Sequence, residues 1–161
     1  MGPWAAEFAA QYQTSTDKTV RKVLAASVIT TADSDAAGAT FVACMAARNA
    51  TVKVDGRGGG FSIPNTNGNT QDEKVIDPAL QSCQPPFEAI AGLYGRMLRN
   101  PQHLNEATIV VKCLIKHGIV AKSYTPKRYE QEMRENTFTF STRKPAAVAC
   151  FKNPLELPGV N

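Results

Sequence analysis

Apolar positions recur at helical spacing along most of the chain. Trp4, Phe8 and Tyr12 stand at i, i+4 and i+8 with small or polar residues between them, the pattern of an amphipathic helix with a narrow aromatic stripe. Residues 1–16 therefore read as an N-terminal arm, followed by the polar connector QTSTDK. Thr16 or Asp17 can cap a helix carrying Val20, Val23 and Leu24, and Ser34 or Asp33 can cap the next, with Ala37, Phe41, Cys44 and Met45 on one face. After a polar loop over 65–72, a short helix is expected over 73–82, interrupted near Pro78. Pro85-Pro86 opens another through about Arg99, since proline suits a first turn. A helix over 105–117 stops at Gly118, and Thr125-Pro126 opens a charged one, KRYEQEMREN. Residues 138–142 are extended or turning, 145–150 form a short helical piece, and FKNPLELPGVN reads as an extended tail.

The exception to helical spacing is VDGRGGGF, residues 54–61, which holds four glycines and an arginine. On both sides, Thr51–Val54 and Phe61–Pro64 alternate apolar and polar residues, the period of a half-buried strand. Asp55-Gly56 suits a tight hairpin turn. A phosphate-binding loop needs Gly-Lys-Ser/Thr and then a helix, and both are missing after these glycines. The expectation is a hairpin over about 51–64 with Arg57 at its tip. The fold class is thus mostly α: a helical-bundle core over 17–150 with a small β-hairpin, and extended N- and C-terminal arms over 1–16 and 151–161.

Composition narrows the classes little. A length of 161 residues fits one domain able to bury a core, and 43% hydrophobic with 20% charged residues is a globular balance. The net charge of +4 is compatible with a polyanionic partner. No apolar run is long enough for a bilayer, so no membrane partner is expected, and MGPWAAEF has no basic stretch of a secretory leader. The four cysteines, Cys44, Cys83, Cys113 and Cys150, form no CxxC pair, so no metal site is expected. They read as buried free thiols suited to a reducing compartment.

Candidate chemistry is sparse. His103 lies in a loop, and His117 at a helix C-terminus, where a cation suits the helix dipole. Hydrolase, metalloprotease and paired-carboxylate motifs are absent from the sequence, so no catalytic residue and no cofactor is assigned. The basic pairs are more suggestive: Arg96 and Arg99 close one helix, Lys127 and Arg128 open another, and Arg143 and Lys144 precede Pro145. Each pair suits either a phosphate contact or a solvated helix end.

In their order, these pieces resemble the coat proteins of flexible filamentous plant viruses of the potexvirus, carlavirus and potyvirus type. The resemblance is carried by Pro86-Phe87-Glu88-Ala89-Ile90-Ala91-Gly92-Leu93-Tyr94, by Tyr124-Thr125-Pro126-Lys127-Arg128-Tyr129 onward to Arg134, by Pro145-Ala146-Ala147-Val148 and by Pro154 to Gly159. It covers roughly residues 20–159. Where the family has an arginine on the middle helix this chain has Glu88, and where it has an aspartate after the later aromatic this chain has Arg134. The two reversals together imply an ion pair between Glu88 and Arg134 with its ends exchanged, because buried charges need partners.

The resemblance implies a coat protein that polymerises into a helical filament around single-stranded RNA, in the virion and the host cytoplasm. RNA contacts fall to Arg134, Arg128, Lys127, Arg96 and Arg99, through salt-dependent phosphate neutralisation. Trp4, Phe8 and Tyr12 are expected to dock on a neighbouring copy. The alternative is a monomeric helical adaptor or regulatory protein without nucleic acid, its arm folded back on its own core. A thiol-dependent enzyme is a third, weaker option.

Overall fold

The computed structural model describes residues 2–56, 59–65 and 71–160. The fold is mostly α with one small two-stranded antiparallel sheet. The expected single core over 17–150 is divided: residues 1–97 and 98–161 form two compact units, each with its own hydrophobic cluster.

In the first unit, α1 (Ala5–Thr14) packs on α2 (Lys18–Ala25). Asp17 caps α2, its carboxylate accepting from the N–H groups of Thr19 and Val20. α3 (Thr31–Ala46) opens on a capping box in which Thr30 is the cap and Asp33 reaches back to it, so neither Ser34 nor Asp33 is the cap itself. The hairpin pairs β1 (Lys53–Asp55) with β2 (Gly60–Ser62), Val54 opposite Phe61. Gln71 staples its base: its side chain accepts from the Thr51 N–H and donates to the Thr51 and Pro64 carbonyls, at 2.7–2.8 Å. Arg57, expected at the tip, lies outside the described residues.

The two helices expected over 73–82 and from Pro85-Pro86 to about Arg99 are one continuous run. α4 (Glu73–Phe87) contains Pro78, Pro85 and Pro86, passes through a π-turn at Glu88–Gly92, and continues as α5 (Leu93–Arg99). Pro85 and Pro86 lack the N–H groups that the carbonyls four residues earlier would receive. The ladder widens directly after them, where the N–H of Leu93 reaches the Glu88 carbonyl five residues back. The hairpin closes against this turn. Gly59 has φ +67°, and a Cβ there would collide with the Ala91 carbonyl. Phe41, Met45, Ile76 and Phe87 form the centre of the cluster, with Phe41 and Phe87 stacked at 4.6 Å and Phe61 edge-on at 5.0 Å from Phe41.

The second unit is built on α6 (Glu106–Lys116), packed against α7 (Pro126–Glu135) and α8 (Pro145–Lys152). Val110, Leu114, Tyr124, Tyr129 and Ala147 are buried at its centre, with Phe138, Phe140 and Phe151 around them. A five-residue motif brackets the unit. Asn100-Pro-Gln-His-Leu104 follows α5, and Asn153-Pro-Leu-Glu-Leu157 follows α8. In each the Asn side chain donates to the Leu carbonyl at 2.8 Å and accepts from the Leu N–H at 2.8–2.9 Å. The fourth residue of each, His103 or Glu156, is left-handed, at φ 51° and 53°. One asparagine thus terminates each helix and turns the chain. Asn100→Ala and Asn153→Ala are each expected to lower stability by about 1–3 kcal/mol, because backbone polar groups lose their partners. Urea denaturation of the two variants checks this.

Candidate functional site

α2, α3 and the end of α4 enclose a cleft of about 390 Å³ in the first unit. Val20, Val23, Phe41, Phe87 and Ile90 give it apolar walls, and the disulfide Cys44–Cys83 forms part of one wall. The Phe41–Phe87 stack fixes that side. Two carboxylates also line the cleft, and both are held by the helix caps. Asp17 is pinned by the N–H groups of Thr19 at 2.8 Å and Val20 at 3.0 Å. Asp33 accepts from the Thr30 hydroxyl at 2.6 Å and the Thr30 N–H at 2.8 Å. The Thr30 hydroxyl first, then its backbone N–H, holds the Asp33 carboxyl below the usual carboxylate range. It is therefore ionised at neutral pH. The cations of α2, Lys18, Arg21 and Lys22, are exposed and are not among the residues lining the cleft. An apolar body with a cationic head matches these walls and this charge.

The second unit holds a buried carboxylate. Glu132 accepts from the Tyr124 hydroxyl at 2.7 Å, Arg128 Nε at 2.8 Å, and the Thr139 hydroxyl and N–H at 3.0 and 3.2 Å. Burial pushes its pKa up, but these hydrogen bonds outweigh burial and bring it down to about 2. Burial in turn raises the Tyr124 hydroxyl, helped by its bond to Glu132. Every acceptor is used inside the unit, so this group secures the segment after α7.

A third cluster joins α6 to the C-terminal segment. Glu156 binds His117 Nε2 at 2.6 Å and also Lys116. These bonds, Lys116 first, hold its carboxyl below the ordinary range. Beside it, Cys113 on α6 is bonded to Cys150 on α8.

The cysteines are the clearest correction to the sequence reading. They are not free thiols: Cys44 pairs with Cys83 and Cys113 with Cys150, with Cα separations of 5.8 and 5.6 Å. Each pair lies 37–39 residues apart, and packing of α3 on α4 and of α6 on α8 brings it within bonding range.

The aromatic arm also differs. Trp4 and Phe8 are buried within the chain itself, at 7% and 6% exposure. Tyr12 is covered by Arg21, whose guanidinium lies 4.3 Å from its ring centroid. A stripe of large apolar area next to a short amphipathic helix is covered by that helix. The C-terminal segment is tied back as well, since Asn153 also donates to the Val160 carbonyl at 2.8 Å.

The five RNA-contact candidates fall in both units, Arg96 in the first and Arg99, Lys127, Arg128 and Arg134 in the second. Arg96 faces Glu88 at 3.8 Å, Arg99 pairs with Glu106, and Arg128 pairs with Glu132. Lys127 and Arg134 are exposed on α7. The exchanged pair of Glu88 and Arg134 rests on two buried charges. Glu88 is 40% exposed and meets Arg96 within its own unit, and Arg134 is exposed, so burial makes no demand for that pair. No described helix is long and apolar enough to cross a membrane.

Comparison with family models, with curated proteins and with solved structures finds no match to this chain. The functional reading therefore stands on the residues and their geometry.

Proposed function

We propose that the chain is a disulfide-stabilised helical binding protein of an oxidising compartment, whose first unit takes a small amphipathic cation. The observation that carries this is the cleft between α2, α3 and α4: apolar walls of Val23, Phe41, Phe87 and Ile90, with the carboxylates of Asp17 and Asp33 held in fixed positions beside them. Its volume is in the range of small-molecule sites, where apolar walls supply affinity and a few polar groups set orientation. Two disulfides favour an oxidising setting over a host cytoplasm. The arm aromatics, buried in the chain's own fold, favour the monomeric regulatory alternative over a filament subunit. Carboxylate partners on Arg96, Arg99 and Arg128 weaken the case for an RNA groove.

Calorimetric titration of the full chain with dodecyltrimethylammonium and with dodecyl sulfate, both below micelle formation, tests the reading. The cation is expected to bind and the anion of equal chain length to bind far more weakly. Asp17→Asn with Asp33→Asn keeps an acceptor oxygen for the N–H groups that Asp17 and Asp33 hold at the two helix starts and removes the charge. This double variant is expected to lose about tenfold in cation affinity, two charge contacts of about 0.7 kcal/mol each. Equal binding of cation and anion, or no change in the double variant, overturns it. Elution as a polymer carrying nucleic acid, with high absorbance at 260 nm, instead supports the coat-protein reading.

A further inference from the structure

We propose that Cys113, His117 and Cys150 form a zinc(II) site in the second unit when the Cys113–Cys150 disulfide is reduced. In the structure the two sulfurs are bonded to each other and stand for the oxidised, metal-free state of that site. The sulfurs and a ring nitrogen of His117 lie within 4.8 Å of one another. Ligands that share a tetrahedral zinc stand about 3.3–3.8 Å apart, from Zn–S of about 2.3 Å and Zn–N of about 2.0 Å. Opening the disulfide and a small side-chain adjustment therefore suffice. Cys113 and His117 are four apart at the end of α6 and share one face. Cys150 comes from α8, which packs on α6.

Three further features favour a metal over a purely structural crosslink. Glu156 holds Nε2 of the imidazole at 2.6 Å, which leaves Nδ1 for the metal; a carboxylate on the other ring nitrogen is the partner that zinc-bound histidines ordinarily keep. A surface cleft lined by Cys113, His117, Lys152 and Glu156 gives a path for the ion and a water for the fourth position. The charges also balance. Two thiolates neutralise the dication, and Glu156 answers Lys116, so that ammonium does not oppose binding. Cys44–Cys83 has no such histidine: among the described residues, Cys113, His117 and Cys150 are the cysteine and histidine group with this geometry.

A dithiol reductant passes two electrons and two protons to the disulfide and becomes a cyclic disulfide itself, leaving two protein thiols. Zinc then binds both sulfurs as thiolates and releases those two protons. In the reverse direction the cyclic disulfide takes two electrons from the zinc-bound thiolates and two protons from water, which restores the dithiol, re-forms the protein disulfide and frees the ion. The site is a redox-gated one, closed by the disulfide and opened by a dithiol.

The test measures zinc(II) binding against a chromophoric chelator, using the full chain carrying Cys44→Ala and Cys83→Ala so that only this pair contributes thiols. One zinc is expected per reduced chain and none per oxidised chain. His117→Ala, an exposed position that leaves the disulfide in place, is expected to weaken binding at least tenfold, a loss of the size seen when a supporting group is removed. Circular dichroism of the reduced, zinc-loaded chain is expected to match the oxidised one. Cobalt(II) is expected to give the intense visible bands of a tetrahedral sulfur-nitrogen site. Zinc bound as tightly after His117→Ala, no zinc on the reduced chain, or a variant that is folded when oxidised but stays unfolded when reduced with zinc present each overturns the proposal. None of these readings depends on the cleft of the first unit.

Discussion

Replacing Glu132 with alanine is expected to lower the stability of the second unit by about 1–3 kcal/mol, the usual cost of leaving buried donors without an acceptor, since Glu132 is buried while its partner Arg128 is half-exposed. The change leaves four donors without their acceptor: the Tyr124 hydroxyl, Arg128 Nε, and the Thr139 hydroxyl and N–H. Tyr124 is only 5% exposed, so water does not readily replace the lost partner. Glu132→Gln keeps the volume and one acceptor oxygen, and is expected to fall between alanine and the native chain. The pH dependence carries a definite sign. The folded pKa of about 2 lies below the ordinary value of 4.5, so the carboxylate's contribution is complete above about pH 4.5. It is lost as pH falls from there toward 2, when the folded state must also take up the proton. Urea titrations followed by hydrogen exchange in α7 and the segment after it, at pH 7 and pH 3, check both statements. The Gln variant is expected to lose much less stability between those two pH values than the native chain. An alanine variant as stable as the native chain sinks the argument.

Local signals were readable where one element decides the outcome. Thr125-Pro126 opens α7, Asp17 caps α2, Gly118 follows the end of α6, and the alternating flanks give the hairpin, although Asp55 pairs with Gly60 in the ladder instead of forming a tight turn with Gly56. Each helix signal depends on a residue whose backbone or side chain favours that one conformation. The misreadings come from interactions between elements. Pro85-Pro86 looks like a helix start, because proline suits a first turn. Here it sits inside a run held by packing of Ile76, Ala79, Cys83 and Phe87, and the cost appears as a π-turn. A stripe such as Trp4–Phe8 has the same periodicity whether it covers its own domain or a neighbour. The exposed faces available decide that, and they are not written in the stripe. The disulfides were hidden for a related reason: cysteines 37–39 residues apart on apolar helix faces look alike as thiols or as a bond until the helices pack. One signal was present and passed over. NPQHL and NPLEL recur, and an asparagine before proline at a helix end, with leucine four residues on, was enough to suggest two similar turns. The cleft had no such mark. Val23, Phe41 and Ile90 are ordinary apolar positions, and only the convergence of three helices makes them a wall.

Removing the Cys44–Cys83 bond by a double change to alanine is expected to destabilise the chain by about 4 kcal/mol, and to weaken the cleft along with the fold. The bond joins residues 39 apart, and the chain-entropy account gives about that cost for a loop of this length. Alanine avoids burying two new polar groups, so the loss reflects the crosslink and the small volume of two sulfurs. Cys83 lies in the same cluster as Phe41 and Phe87, whose stack forms one wall of the cleft. Freed from α4, α3 is expected to shift at that wall first, since the remaining ties are dispersion contacts without a covalent limit. Affinity for the dodecyl cation should therefore fall even under conditions where the variant remains folded. The second unit, with its own cluster and its own Cys113–Cys150 bond, supplies the internal control. Hydrogen exchange is expected to rise in α3 and α4 and to stay near native in α6 and α8. Uniform loosening of both units would mean that they unfold as one cooperative body. An unchanged urea midpoint would mean that helix packing alone fixes the cleft and that the disulfide adds nothing to it.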